Sequence, residues 1–148
     1  MFKRLNAIKK SKGAKFMKFR DKYYFLSNMF PCNIHYNGIN YKSVESAFQA
    51  QKDPSRTNEF ANLDGFAAKK LGRKVTLRKD WETIKLSIME DLLRVKFSDK
   101  TLHNQLLAVT EPIVEDNTWH DTFWGVCNGK GENNLGKLLE KIKNESIT

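Results

Sequence analysis

The tightest constraint in this chain is a pair of residues, Asn37-Gly38, set between two short runs in which apolar and polar residues alternate: Ile34 and Tyr36 before it, Ile39 and Tyr41 after it. A two-residue hairpin loop of type I′ needs positive φ at both central positions, which Asn and Gly supply at little cost, so the spacing predicts a β-hairpin. Its second strand leads directly to Ser43, whose hydroxyl is placed to accept from an early backbone N–H, with Glu45 complementing the dipole in the first turn. This predicts a helix through Gln51, stopped near Pro54. Val44, Ala47, Phe48 and Gln51 share one face of it, while Glu45, Gln49 and Lys52 at i, i+4 and i+7 make a polar stripe on another.

The remaining segments are read the same way. Tyr23 to Leu26 is aromatic and strand-like, followed by a tight turn at Ser27-Asn28. A second helix is expected over 58–71, ending at Gly72, with Phe60, Leu63, Ala67 and Leu71 at helical spacing. Asp80 is expected to cap a longer helix over 81–97, with Trp81, Ile84, Ile88, Leu92 and Val95 as its apolar stripe and Lys85 on the edge of it. A short helix over 102–109, a short strand at Ile113-Val114, and a last amphipathic helix from about Asn134 with Leu135, Leu138, Leu139 and Ile142 complete the pass. The expected fold class is α+β: a single helix-rich domain over 19–148 with a small β-hairpin or sheet.

Composition enters through charge. The formal net charge of +9 resembles a nucleic-acid signature until it is divided along the chain. Residues 1–22 carry nine Lys/Arg and one acid, whereas 23–148 carry 17 basic and 16 acidic residues. The excess belongs to a basic, flexible leader over 1–18, which either leans on nucleic-acid phosphates through counterion release or is a solvated terminus. No apolar run reaches the ~18–20 residues of a membrane span, and the basic N-terminus lacks the apolar stretch of a secretory signal, so a cytoplasmic protein without a membrane partner is expected. Cys32 and Cys127 stand far apart, and His35, His103 and His120 show no ligand spacing, so neither a disulfide scaffold nor a metal site is expected.

Three places concentrate chemistry. Gly131 to Lys137 has the spacing of a phosphate loop, but Leu138 stands where such a loop needs Ser or Thr, and Gly136 would lie inside the helix, which argues against an NTPase. What survives is a glycine-rich loop entering a helix N-terminus, either a seat for an anion or a turn that uses Gly for its geometry. Just upstream, the segment from Trp119 to Gly125 holds two indoles, His120 and Asp121; its indoles can sandwich a flat heterocycle while Asp121 holds a hydroxyl or water, or Trp124 is core and Asp121 caps a turn. The third is the Glu45, Gln49, Lys52 stripe, with Lys85 as either a snorkelling or a buried amine.

Assembled in order, these pieces resemble the NADAR, or YbiA-like, family. The matching residues are Phe25-Leu26-Ser27-Asn28-Met29-Phe30, Gly38 to Tyr41, Ser43-Val44-Glu45-Ser46-Ala47-Phe48-Gln49-Ala50-Gln51-Lys52, Trp81, Lys85 and Met89, Lys96-Phe97, Val114-Glu115, Asp121 with Trp124-Gly125, and Gly131 with Asn133, Leu135 and Gly136. Two departures stand out: Ser46 occupies the position where the family usually has His, and the basic leader has no family counterpart. The resemblance implies an N-glycosidase that needs no cofactor and acts on ADP-ribosylated guanine or on a ribosylamino-pyrimidine phosphate of riboflavin biosynthesis. It makes Asn28, Glu45, Lys52, Lys85, Asp121 and Trp124 the site candidates, with the loop from Gly129 to Asn134 near phosphate. With Arg20, Gln49 and Trp119 added from the residues themselves, Glu45, Asp121, Lys85 and Lys52 are the catalytic candidates and Arg20, Asn28, Gln49, Trp119, Trp124, Gly131 and Asn133 the substrate-binding ones. Glu45 is expected at the anomeric centre and Asp121 at ribose hydroxyls or water, with a lysine Schiff base as an alternative route. A non-catalytic module that holds ADP-ribose or a nucleotide is the alternative function.

Overall fold

Alternation and turn chemistry produce the hairpin where expected. In the computed structural model, which describes residues 17–146, β1 (Ile34–Tyr36) and β2 (Ile39–Tyr41) pair antiparallel with Ile34 opposite Tyr41. Asn37 and Gly38 take φ of 48° and 81°, as a type I′ turn requires. Helix α1 (Val44–Ala50) follows at once, and the Ser43 hydroxyl accepts from the Ser46 N–H at 3.1 Å. A cap of this kind stabilises by about 1 kcal/mol.

Two expectations in this region are corrected. Residues 58–71 are not one helix: a 3-10 helix (Pro54–Phe60), opened by Asp53, gives way to a turn, and α2 (Gly65–Gly72) begins only after Asp64, whose carboxylate accepts from the Ala67 N–H at 2.8 Å. The buried face of α2 is Gly65, Ala68 and Gly72, while Phe66 and Ala67 face solvent. The small residues win because α2 lies against α1: a Cβ at Gly65 would collide with Met29 and crowd Glu45, and one at Gly72 would collide with Gln49. Residues 23–26 are not a strand either but part of a 3-10 helix (Asp21–Leu26) that buries Phe25 and Leu26 and leaves Tyr24 exposed.

Helix α3 (Trp81–Lys96) forms as its periodicity demands, but Asp80 makes no side-chain cap, because its carboxylate is taken by Arg78 at 2.7 Å. Trp81, Ile88 and Leu92 are buried as expected, together with Met89, Leu93 and Lys96, and the Trp81 ring meets Phe48 of α1 at 4.9 Å. Helix α4 (Lys100–Leu107) comes next. The expected strand at Ile113-Val114 is absent: strand pairing falls instead on β3 (Asp116–Asn117) and β4 (Val126–Cys127), which run parallel. Ile113 and Val114 are still buried, but Ile113 is held by side chains, its N–H donating to Glu140 and its carbonyl accepting from Asn133. Helix α5 (Asn134–Glu145) closes the described chain with Leu135, Leu139 and Ile142 buried.

Among the described residues the architecture is therefore helix-rich with two small two-stranded sheets. By contact density the chain divides into two compact units, Leu26–His103 and the described parts of Met1–Phe25 with Asn104–Thr148. The first holds the hairpin and α1 to α3; the second holds β3, β4 and α5. Most of the expected leader lies outside the described residues. Among the described residues, no helix is long and apolar enough to cross a membrane.

Gly136 provides a test of how closely the second unit is packed. In a helix interior Gly normally costs about 1 kcal/mol relative to Ala. Here a Cβ would collide with the Ile113 carbonyl oxygen and the Asn133 amide, so the sign reverses. Gly136→Ala is expected to destabilise the protein by about 1–3 kcal/mol, read from the urea midpoint; an unchanged or higher midpoint counts against the close packing.

Candidate active site

In the unit Leu26–His103, the polar stripe of α1 is buried rather than solvated. Glu45 is 9% exposed, and the Gln49 amide donates to its Oε2 at 2.7 Å. The Glu45 N–H donates to the Asn28 carbonyl at 3.0 Å, which ties the first turn of α1 to the turn after Leu26. Asn28 directs its amide nitrogen toward the Met89 sulfur, and its Oδ1 is buried with no hydrogen-bond partner among the described residues. The Oε1 of Gln49 is in the same condition.

Lys52, one turn beyond Gln49, lies with its amine 5.9 Å from the Trp81 ring centroid. Burial pushes its pKa below the ordinary lysine value; the Glu45 carboxylate opposes that shift, while Arg73, Lys69 and Lys85 reinforce it. Lys85 is mostly covered and reaches Glu82 at 2.6 Å. This unit thus brings together Asn28, Glu45, Gln49, Lys52 and Lys85: a buried carboxylate, two amides with unused oxygen acceptors, and a half-buried amine that loses its proton more readily than usual. Ser46 is fully buried, and its hydroxyl donates to the Leu63 carbonyl at 2.7 Å, so the residue in the usual histidine position is spent on holding the chain after Phe60.

The second unit presents its candidates differently. Asp121 accepts through Oδ1 from the N–H groups of Phe123 at 3.1 Å and Trp124 at 2.9 Å, the turn-capping arrangement. Asn117 clamps Asp121 from behind, donating to its carbonyl and accepting from its N–H. Trp124 is half-buried edge-on against Phe123, with ring centroids 4.8 Å apart, whereas Trp119 is 55% exposed and Arg20 is on the surface. The Asn133 amide bridges two backbone groups, accepting from the Glu115 N–H at 3.0 Å and donating to the Ile113 carbonyl at 3.0 Å. Gly131 is buried against the Gly125 carbonyl. The N–H groups of 132–135 donate to the carbonyls of Thr122, Gly125, Phe123 and Trp124, so the glycine loop spends its donors on its own chain rather than holding them out to an anion.

Lys96 carries no sign of a site role in the sequence beyond its place in the family pattern. It is 2% exposed at the end of α3, and its amine donates to the Ser27 carbonyl at 2.8 Å. The Phe30 and Phe97 rings flank it, with centroids at 5.5 Å and 5.2 Å. The helical period does place position 96 close to the Met89 and Leu92 face, but a terminal lysine in a helix ordinarily serves the dipole in water.

Set beside known proteins, the chain matches the NADAR domain over residues 15–146, and it belongs to that family. It is 35% identical over 128 residues to a riboflavin biosynthesis protein of Vibrio vulnificus, a match that takes in 82% of this chain but only 35% of that protein. It is 34% identical over 132 residues to the N-glycosidase YbiA of Shigella boydii, covering 84% of this chain and 82% of that one. An N-glycosidase of Nostoc punctiforme is 31% identical over 140 residues, covering 88% and 90%. The solution structure of Escherichia coli YbiA superposes with a TM-score of 0.77 at 32% identity, over 89% of this chain and 83% of the other, which places the fold in the same class.

Burial of Lys96 lowers its pKa from 10.5 to about 7 and gives stability a definite pH dependence. Below about 7 the amine is charged in both folded and unfolded states and its burial cost is felt in full. Between about 7 and 10.5 only the unfolded chain holds the proton, so stability rises with pH. The stability difference between wild type and Lys96→Met, from urea denaturation at pH 6.5, 8 and 9.5, is expected to shift steadily in favour of the wild type. A difference that does not move with pH contradicts a neutral buried amine.

Proposed function

We propose that this chain is an N-glycosidase that hydrolyses a ribosyl C–N bond in a nucleotide-type substrate. The observation that carries the reading is the buried Glu45 carboxylate, oriented by Gln49 and followed about two turns later by the depressed amine of Lys52. Breaking such a bond develops positive charge on the sugar and negative charge on the departing base. A carboxylate held at low exposure interacts with that sugar cation far more strongly than it would in water, and needs no reorganisation when the charge appears. Glu45 is assigned to the anomeric centre, where it stabilises the oxocarbenium-like state or orients water. Asn28 and Gln49 bring oxygen acceptors suited to ribose hydroxyls or amino groups of the base.

Lys52 is the better placed of the two lysines to act as acid or nucleophile, since its burial favours the neutral amine while Lys85 is engaged by Glu82. Asp121 is assigned to ribose hydroxyls or water, Trp119 and Trp124 to the base, and Arg20 to phosphate. Gly131 and Asn133 contribute through the shape of their loop. The substrate is ADP-ribosylated guanine or a ribosylamino-pyrimidine phosphate.

Incubation with ADP-ribosylated guanine DNA and, separately, with a ribosylamino-pyrimidine phosphate, followed by mass spectrometry, is expected to show freed base and sugar from at least one. Glu45→Gln keeps the shape of the site and removes the charge, so kcat is expected to fall by about 10²–10⁴ with an unchanged circular dichroism spectrum. Near-normal turnover by that variant removes Glu45 from the chemistry; tight binding without release by the wild type makes the chain a binding module. If the leader contacts nucleic acid, deletion of 1–18 will abolish the salt dependence of DNA affinity; unchanged affinity makes it a bystander.

A further inference from the structure

The turn over 27–30 is pinned at more points than a turn needs. Phe30 closes it with an N–H to the Ser27 carbonyl at 3.1 Å, and the Ser27 hydroxyl accepts from the Met29 N–H at 3.0 Å. The Ser27 carbonyl then takes a second donor, the Lys96 amine at 2.8 Å. On the far side of the same turn, the Asn28 carbonyl receives the Glu45 N–H at 3.0 Å. The turn is thus gripped between the end of α3 and the start of α1, and the residue at its corner is Asn28, with its buried Oδ1 unused among the described residues.

A lysine is a costly way to fill this space. The amine lies over the Phe30 and Phe97 rings, where the end of a methionine of similar length would pack without desolvating a cation. What methionine cannot do is donate to the Ser27 carbonyl. The charged and titratable groups near the amine are few: the Cys32 thiol before β1 faces it, and His35 of β1 and Asp99 beyond α3 line a cavity together with Cys32 and Lys96. None of them is bonded to Lys96 within the described residues, so the bond to Ser27 is the specific polar contact that the amine makes.

We infer that Lys96 is a positioning residue for the glycosidase site: by holding the Ser27 carbonyl it fixes the turn that aims the Asn28 amide and docks on the first turn of the helix bearing Glu45. This rests on the glycosidase reading for its functional consequence, though the link between Lys96 and Asn28 stands on its own geometry. Loss of the amine leaves Asn28 and Glu45 present but loosely set, a defect expressed in the transition state more than in ground-state binding. Because the amine changes protonation near pH 7, its bond to the carbonyl passes from charge-assisted to neutral there, and the environment of Asn28 follows.

The test is a double-mutant cycle with Lys96→Met and Asn28→Ala, assayed by release of base from whichever of the two substrates the wild type cleaves. Lys96→Met alone is expected to lower kcat at least tenfold with KM within about twofold, and to cause little additional loss in the Asn28→Ala background. Losses that multiply independently, or an unchanged kcat in folded Lys96→Met, overturn the inference. The second measurement needs neither turnover nor a variant that folds poorly. In the ¹⁵N-labelled wild type, the Asn28 side-chain amide signals are expected to shift with pH with a midpoint near 7, and an Asn28 signal indifferent to pH across that range also overturns it. Should the wild type cleave neither substrate, the glycosidase reading falls, while the amide titration still decides whether Lys96 controls Asn28.

Discussion

Everything in the first unit turns on the complete burial of a helix only seven residues long. Such a helix has no standing of its own in water, because the cost of its first turn is not recovered over so few hydrogen bonds. It persists because its neighbours complete it: Ser43 caps it, the Asn28 carbonyl takes an early N–H, and Gly65 and Gly72 let α2 approach without side chains in between. Burial then dictates what its polar residues must do. Gln49 donates to Glu45, Ser46 reaches the Leu63 carbonyl, and the oxygens of Gln49 and Asn28 are left buried without a partner among the described residues.

The second unit solves a different problem by different means. Its strands are two residues each, too short to satisfy the backbone around them, so side-chain amides take over the work of a ladder. Asn133 joins the Ile113 carbonyl to the Glu115 N–H, and Asn117 makes the equivalent pair of bonds to Asp121. Polar residues that a sequence reader counts as ligand contacts are here substitutes for missing strand neighbours.

That difference accounts for what was legible in the sequence. The hairpin at Asn37-Gly38, the Ser43 cap, the Glu45 to Lys52 stripe and the last amphipathic helix are local features, each decided by residues within a turn or two, and each formed as expected. The errors came where tertiary contact overrides local pattern. The apolar spacing from Phe60 to Leu71 suggested one helix, but close approach to α1 rewards the small face of Gly65, Ala68 and Gly72, and Asp64 caps late. Residues 23–26 have strand-like side chains but no partner strand among the described residues, and the Ile113 backbone is satisfied by Glu140 and Asn133 instead of a ladder. The function of Lys96 was illegible for the same reason: nothing in its neighbours along the chain reveals the carbonyl of Ser27, which is 69 positions away.

The hairpin has one more consequence. A Cβ built at Gly38 would meet nothing within 4 Å, so the tip of the β1–β2 turn stands clear while its base is anchored by the fully buried Ile34 and Tyr41. Exposed tips with small residues are where chains accept insertions best. A fluorophore-bearing loop or affinity handle spliced between the two strands, with the Asn-Gly geometry restored at its ends, gives a reporter joined to the helix that carries Glu45 by only a few ordered residues.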